Sequence, residues 1–493
     1  MRPTYVLSRW LFLRLLGLVY LIAFASLAVQ VRGLIGEHGL FPVGEYLERV
    51  RESYGDGAWR LLPTLLWFDS NDSGLLILTW GGMALAALLL LDIVPLVVLP
   101  LLWLSYLSLS VGGQDFLSFQ WDALLLEAGL LACLWAPAGW FPSLRLEERQ
   151  PSPLGRWLLW LLLFKLMVLS GATKLASGDP TWRNLTALDV HFETQPLPPW
   201  TAWYAHHLSE RVHHAATALV FFAELVVPFA IIAPTRFRLL RLVGAVFLIG
   251  FQIAIAATGN YGFFNLLTIV LCVPLLDDRA LCRIVRLKLT APQPESAFRR
   301  SVVGVVGPVL LGLSALSFAR EIASTVPGGA GASLLPAGVD DLLGVVAPFR
   351  SVNGYGLFRV MTTERPEIVV EGSPDGLHWK AYEFRWKPGD PYRRPRFVAP
   401  FHPRLDWQMW FAALDPEGNR PLLEALLGRL LEGSPEVLAL MGRNPFPGTP
   451  PKYMRLLYFR YWFSSPAARA PDGVWWVRER RGTLTEPVSL PQR

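Results

Sequence analysis

Two lysines lie in the otherwise apolar stretch LLLFKLMVLSGATKL, at positions 165 and 174 of the chain. A lysine in hydrocarbon costs about 2.5–3.5 kcal/mol at the centre of a membrane helix. On one helix Lys165 and Lys174 are half a turn out of phase, so they face opposite sides. We expect Lys165, in the middle of the stretch, to meet a carboxylate inside a helix bundle. Lys174, near its end, either extends to the lipid headgroups or serves as a base.

Acidic side chains in other apolar runs are candidate partners for these lysines. Asp115, Ser118 and Asp122 recur at the spacing of one helical face and predict a polar stripe, and Asp122 is a candidate catalytic residue. Because an isolated charge in lipid is either paired or neutralised, we expect Asp122 to belong to a buried network with other polar side chains. The further members of this predicted network are Lys165, Asp115, Glu127, Glu224 and Asn265.

The stretch AHHLSERVHH could bind a metal. On one helix His207, Glu210 and His214 fall on a single side, and such a trio could bind zinc. The sequence offers no evident fourth ligand, and the alternative is a helix at the membrane surface whose histidines titrate.

The composition is that of a membrane protein. Hydrophobic residues make up 53% of the 493 residues and charged residues 17%, against about 25% charged in ordinary soluble domains. Apolar runs long enough to cross a bilayer fill residues 1–325 and predict a bundle of about eight or nine transmembrane helices. The predicted spans lie near 10–31, 74–91, 93–110, 116–135, 154–173, 213–233, 239–257, 262–276 and 301–319.

The net charge of +6 does not indicate nucleic-acid binding, because the basic residues cluster at the ends of the apolar runs. With the N-terminus in the cytosol and nine spans, these arginine-rich connections fall on the inner side, as membrane proteins prefer. The C-terminal region then emerges on the outer side. The predicted partner of residues 1–325 is the lipid bilayer.

The character of the sequence changes after residue 325. Residues 326–349 read as a linker, and residues 350–493 as a β-rich domain outside the membrane. Short alternating runs at 356–363, 367–373, 378–386 and 396–401 predict strands, and leucine-rich stretches after 420 predict helices. We expect a β-sandwich-like domain with added helices.

Several long motifs carry a resemblance to a known family. QWDALLLEAG, FKLMVLSGATKLASGDPTWRN, DVHFETQPLPPW, GNYGFFNLLT, DWQMWFAAL, NPFPGTPPKYMRLLYFRYWF and WWVRER resemble the lipase maturation factor family over nearly the whole chain. The resemblance implies a multi-pass, chaperone-like membrane factor rather than an enzyme, with no cofactor and with a C-terminal domain that engages client lipases. Aromatic residues of that domain are candidates for client binding, with core packing as the alternative; they are Trp407, Trp410, Tyr461 and Trp462.

A second resemblance keeps an enzymatic alternative open. SGATKL resembles the end of a membrane span in vitamin K-dependent γ-carboxylases, where a lysine in a comparable motif acts as a base toward a reduced quinone. Lys174 is the matching position. Asp122 stands near the place where those enzymes carry a functional histidine, which is a departure from their pattern. This alternative implies a membrane enzyme that acts on a quinone- or lipid-like substrate.

The same resemblance bears on location. Human members of the lipase maturation factor family reside in the endoplasmic-reticulum membrane. The compact chain, rich in Ala, Arg, Leu and Pro, is typical of a bacterial member. We therefore expect a bacterial inner-membrane protein whose C-terminal domain lies in the periplasm; for a eukaryotic chain the corresponding location is the endoplasmic-reticulum membrane.

Overall fold

A computed structural model describes residues 4–137, 150–285, 297–326 and 335–490 of the protein. The first helices are α1 (Val6–Ala28), α2 (Val31–Ile35), α3 (Val43–Tyr54), α4 (Ala58–Leu61), α5 (Asp72–Leu90), α6 (Pro95–Gly112), α7 (Gln120–Trp135), α8 (Pro153–Ala176), α9 (Pro180–Arg183), α10 (Ala187–Thr194), α11 (Trp200–His206) and α12 (Glu210–Phe221). They continue as α13 (Arg238–Thr258), α14 (Phe264–Cys272), α15 (Asp278–Val285), α16 (Ala297–Ser324), α17 (Val339–Val346), α18 (Arg404–Leu414), α19 (Arg420–Glu432), α20 (Pro435–Leu438) and α21 (Pro466–Asp472).

The membrane bundle is confirmed. Seven helices among the described residues are long and apolar enough to cross a bilayer: α1, α5, α6, α8, α12 with its continuation to Ala230, α13 and α16. The two remaining predicted spans fall on the shorter helices α7 and α14. Length and apolar content, rather than a one-sided periodic pattern, mark these helices, because a spanning helix is apolar both where it packs in the bundle and where it is exposed to lipid.

Contacts between distant segments define two ends of the bundle. At the end where α1 begins, the backbone N–H of Val6 donates at 2.9 Å to the carboxylate of Asp278, the first residue of α15. At the same end Arg299, at the start of α16, donates to the carbonyl of Ala136 at 2.6 Å. We call this the N-terminal end of the bundle.

The opposite end meets the C-terminal region, and we call it the sheet end. Ser26, in the last turn of α1, accepts a hydrogen bond of 3.0 Å from the backbone N–H of His402. Asn260, between α13 and α14, accepts one of 2.9 Å from the N–H of Val398. The C-terminal region therefore contacts the ends of several bundle helices directly.

The C-terminal region contains a five-stranded antiparallel sheet with the order β3-β2-β1-β4-β5. Its strands are β1 (Arg365–Ser373), β2 (Lys380–Phe384), β3 (Met441–Arg443), β4 (Tyr453–Phe463) and β5 (Trp476–Val488). The predicted hairpin is present as β1 and β2, with Val370 opposite Tyr382. Helix α18 packs on β1 and α19 on β4, so helices cover one side of this sheet.

Two of the runs predicted as strands, 356–363 and 396–401, are not strands. The first is held by the bundle: Gly356 donates to Gln120 at 3.1 Å, and Trp182 donates to the carbonyl of Phe358 at 3.0 Å. The second is held by Asn260, as described above. Several backbone groups of both runs thus bond to side chains of the bundle in place of a strand partner. In the predicted linker, residues 327–334 lie outside the described residues, and α17 forms beyond them.

Candidate functional site

Four charged residues of the predicted network, Asp122, Glu127, Lys165 and Glu224, lie in three separate ion pairs. The first joins Lys165 of α8 to Glu127 of α7, with Nζ 2.6 Å from Oε1 and both side chains buried. The second carboxylate oxygen of Glu127 accepts hydrogen bonds from Tyr355 at 2.8 Å and from Asn353 at 3.2 Å. This pair therefore fastens two bundle helices to the segment that follows the bundle.

The second pair joins the bundle to the sheet domain. Arg404, at the start of α18, donates to both carboxylate oxygens of Asp122 at 2.6 and 2.7 Å, and both residues are buried. The hydroxyl of Tyr106 also donates to Asp122. A carboxylate saturated in this way is a structural anchor. Sequence reasoning missed Arg404, because no spacing rule relates it to a residue 282 positions away.

The third pair joins Lys174 of α8 to Glu224, with Nζ 2.8 and 2.9 Å from the two carboxylate oxygens. Lys174 is 4% exposed, so it does not extend to the headgroups. Glu224 lies in a π-helical turn, Phe222–Val226, which continues α12. Such wide turns often occur at functional sites. Gly171 of α8 leaves room for this π-helical turn, because a Cβ atom at that position would lie 2.7 Å from Leu225.

Beside the third pair is a cavity of about 310 Å³. Its walls are mostly apolar, and Lys174 and Glu224 form part of them. We call it the α8–α13 cavity. The other side chains that line it and carry a polar group are Ser170, Trp182, His191, Gln252, Thr258, Tyr261 and Asn265.

Hydrogen bonds between uncharged side chains run along one wall of this cavity. The hydroxyl of Tyr261 donates to Gln195 at 2.9 Å and lies 3.0 Å from Nε2 of His191. Since the single hydroxyl proton is used on Gln195, His191 must donate from Nε2. Burial, followed by the charge of Lys174, lowers the pKa of His191 to about 4, so the ring is neutral at pH 7.

Two residues of the predicted network lie apart from the ion pairs. Asp115 is exposed in a 3-10 turn, because α7 begins only at Gln120. The predicted stripe on one continuous helix is therefore wrong. Asn265 of α14 donates to the side-chain oxygen of Gln252 on α13 at 2.8 Å, which joins those two helices.

The histidine stretch does not form one helix, which was the premise of the metal trio. Helix α11 ends at His206 and α12 begins at Glu210, so the expected common face is absent. His207 lies 2.7 Å from the carbonyl of Trp203, and His214 pairs with Asp189 at 3.6 Å. Within the described ranges, no group of three His, Cys, Asp or Glu side chains could hold a metal ion.

Three of the four aromatic candidates for client binding are buried, so they do not form a docking surface. Trp407 packs against Trp121 and Phe119 of the bundle. The indole of Trp410 donates to the carbonyl of Thr194 at 2.9 Å. Tyr461 is 1% exposed and donates to the carbonyl of Gly389, while Trp462 is half-buried. Core packing, the alternative given for this set, describes the first three.

Comparison with known proteins supplies the decisive observation on identity. Residues 7–283 match the family model of the lipase maturation factor transmembrane domain, and residues 351–486 match that of the lipase maturation factor C-terminal domain. The chain belongs to the lipase maturation factor family. The family resemblance predicted from the motifs is thus confirmed, and this membership favours a maturation factor over the carboxylase-like alternative.

Individual relatives of the lipase maturation factor family agree with this assignment. Lipase maturation factor 2 of Homo sapiens is 36% identical, over 98% of this chain and 83% of its own length. Lipase maturation factor 1 of Mus musculus is 34% identical, over 99% of this chain and 88% of its own length. No solved structure matches the chain.

Proposed function

We propose that this protein is a membrane-embedded maturation factor that assists the folding or assembly of secreted lipases or other exported client proteins. The observation that carries the proposal is the match of both the membrane bundle and the sheet domain to the lipase maturation factor models. The relatives named above align over almost all of this chain, so the architecture is shared as a whole and not through one domain.

We propose that the protein lies in a bacterial inner membrane with the sheet domain in the periplasm. The N-terminal end of the bundle is rich in arginine, and cytoplasmic ends of membrane proteins carry such an excess. The arginines near that end include Arg9, Arg14, Arg156, Arg236, Arg238, Arg241, Arg299 and Arg300. The sheet domain lies at the opposite end, where exported proteins fold.

Client proteins would meet the exposed surface of the sheet domain. The Arg404–Asp122 pair and the hydrogen bonds at Ser26 and Asn260 hold this domain against the bundle. A fixed platform suits a factor that receives chains emerging beside the membrane. Tyr392, which is 63% exposed, and the half-buried Trp462 are large side chains available there.

The proposal is tested in a strain that lacks the gene and secretes a lipase. Specific activity of the secreted lipase should fall without the gene and return with the intact chain. A photo-crosslinking amino acid at Tyr392 or Trp462 should yield adducts with the lipase. The same probe at Val246, an exposed apolar position on spanning helix α13, serves as the control and should yield none. Unchanged lipase activity in the deleted strain would contradict the proposal.

A further inference from the structure

The α8–α13 cavity has spare hydrogen-bonding groups that carry no charge. Gln252 is 3% exposed and Asn265 5%, and both line the cavity. The bond between them uses the Asn265 amide N–H and the Gln252 amide oxygen, so among the described residues the N–H groups of Gln252 and the amide oxygen of Asn265 have no partner. His191 likewise has no partner for Nδ1, the acceptor of its neutral form. Gln252 and Asn265 are buried and His191 lies partly buried on the same cavity wall, and polar groups in such places are rarely left without a partner, so these three point to a ligand.

The charged groups of the same wall are already satisfied. The three protons of the Lys174 ammonium are taken by the two oxygens of Glu224 and by the carbonyl of Ser170 at 3.3 Å. A carboxylate or phosphate in the cavity would therefore find no free cation and would lie unpaired among apolar side chains. This wall of the α8–α13 cavity therefore suits a ligand whose polar head carries no charge.

The cavity opens toward the bilayer. Its rim includes Leu208, which is 53% exposed, Leu219 of α12, which is 47% exposed, and the exposed Ala254 of α13. Both helices are candidate membrane spans, and apolar side chains such as Leu219 and Ile253 are exposed on them. A molecule that enters between them comes from the lipid phase.

We propose that the α8–α13 cavity binds an uncharged amphiphile of the membrane, with a hydroxyl- or carbonyl-bearing head at Gln252, Asn265 and His191 and a hydrocarbon tail along the apolar walls. A hydroxyl head donates to His191 or Asn265 and accepts from the Gln252 amide. The volume of about 310 Å³ lies at the lower end of the range of small-molecule sites, about 300–1,000 Å³. A single-chain molecule fits this space better than a two-chain phospholipid.

The test uses the full chain in vesicles of phosphatidylethanolamine and phosphatidylglycerol. A photoreactive monoacylglycerol carrying a diazirine in its chain is activated, and the labelled peptides are mapped. Unlabelled monooleoylglycerol, a short-chain ubiquinone and oleate then compete for the site. Monooleoylglycerol and the ubiquinone both have an uncharged, oxygen-bearing head, and comparing them shows whether the ligand is an acyl lipid or a quinone. Oleate tests the effect of a charged head.

Labelling is expected in the peptides around residues 166–174 and 252–265. Monooleoylglycerol or the ubiquinone should compete at least about tenfold better than oleate, because an unpaired carboxylate is costly in an apolar site. Ala254→Trp, which fills the rim, should abolish labelling. Ala257→Trp is the matched control, since Ala257 is exposed on the same helix but does not line the cavity, and it should label normally.

Gln252→Leu should lower labelling several-fold while leaving the protein folded, as judged by its melting temperature. Equal competition by oleate, labelling that Ala254→Trp leaves unchanged, or no labelling in these peptides would overturn the proposal. The readout is lipid occupancy rather than lipase rescue, so the outcome is independent of the proposed maturation function.

Discussion

Arg404 of the sheet domain and Asp122 of the membrane bundle form a fully buried, two-pronged ion pair, 282 residues apart in the chain. Burial lowers the pKa of Arg404, but the adjacent Asp122 carboxylate outweighs it and raises the pKa overall, so the guanidinium remains charged. The ion pair therefore joins the membrane bundle to the sheet domain, and each of its two residues finds its partner charge only in the other half of the protein.

Arg404→Leu or Asp122→Leu alone should destabilise the protein by about 3–5 kcal/mol, because each leaves a buried charge without a partner. The double variant should lose much less than the sum of the two single losses. The free energy of unfolding in detergent, measured for the unmodified protein and the three variants, gives the coupling energy. The control is Arg420→Leu, which breaks an exposed pair with Glu424 and should cost at most about 1 kcal/mol. Additive losses in the cycle would exclude energetic coupling.

The Lys174–Glu224 pair is expected to act structurally in lipase maturation. A double variant, Lys174→Met with Glu224→Leu, removes both charges together and should keep near-normal abundance. Secreted lipase activity per molecule of this protein should then equal that of the unmodified chain, measured in the deleted strain. A large loss of activity at normal abundance would instead indicate membrane chemistry at Lys174.

Gly171 is expected to be intolerant of even one extra methyl group. A Cβ atom at this position meets Leu225 at 2.7 Å and Glu224 at 3.0 Å. Gly171→Ala should therefore destabilise the protein by about 1–3 kcal/mol through overpacking. Gly250→Ala, on α13, is the matched control because nothing lies within 4 Å of its added methyl group. The melting temperature of Gly171→Ala should therefore lie below that of Gly250→Ala. Equal melting temperatures would show that α8 and the π-helical turn do not pack this closely at Gly171.

Acid should weaken the protein through its neutral histidines. Burial lowers the pKa of His191 and of His206 to about 4, below the ordinary value of 6.5. For a base whose pKa is depressed by folding, the unfolded chain binds more protons. The stabilising contribution is therefore complete above pH 6.5 and is lost as the pH falls toward 4.

The melting temperature should consequently be lower at pH 5 than at pH 7.5. His191→Gln should reduce this difference, since glutamine does not titrate. His378→Gln is the control, because His378 is exposed beside Asp375 in a surface turn. A pH dependence that His191→Gln leaves intact would assign the effect to other groups.

The sequence predicted the bundle well because apolar length is a local property. Each predicted span falls on a helix, including the short α14 (Phe264–Cys272). It also predicted that the charges within the bundle would be buried. The sequence did not predict which charges would pair, because the choice of Glu127 or Glu224 for Lys165 depends on how the helices pack in three dimensions.

Prediction failed where the two halves of the chain meet. Residues 356–363 alternate as a strand would, yet their backbone groups bond to the bundle. The sequence leaves Trp407 and Trp410 open between client binding and core packing. Here the helix ends of the bundle cover them, which no local pattern records.

The attachment of the sheet domain sets an order on biosynthesis. Asp122 enters the membrane early in translation, whereas its partner Arg404 leaves the ribosome 282 residues later. Until then the Asp122 carboxylate has no cationic partner, whereas Glu127 meets Lys165 only 38 residues after it. A nascent polypeptide that stalls before residue 404 thus differs from a finished molecule by one acidic side chain without its partner charge, a state that is costly in an apolar surrounding.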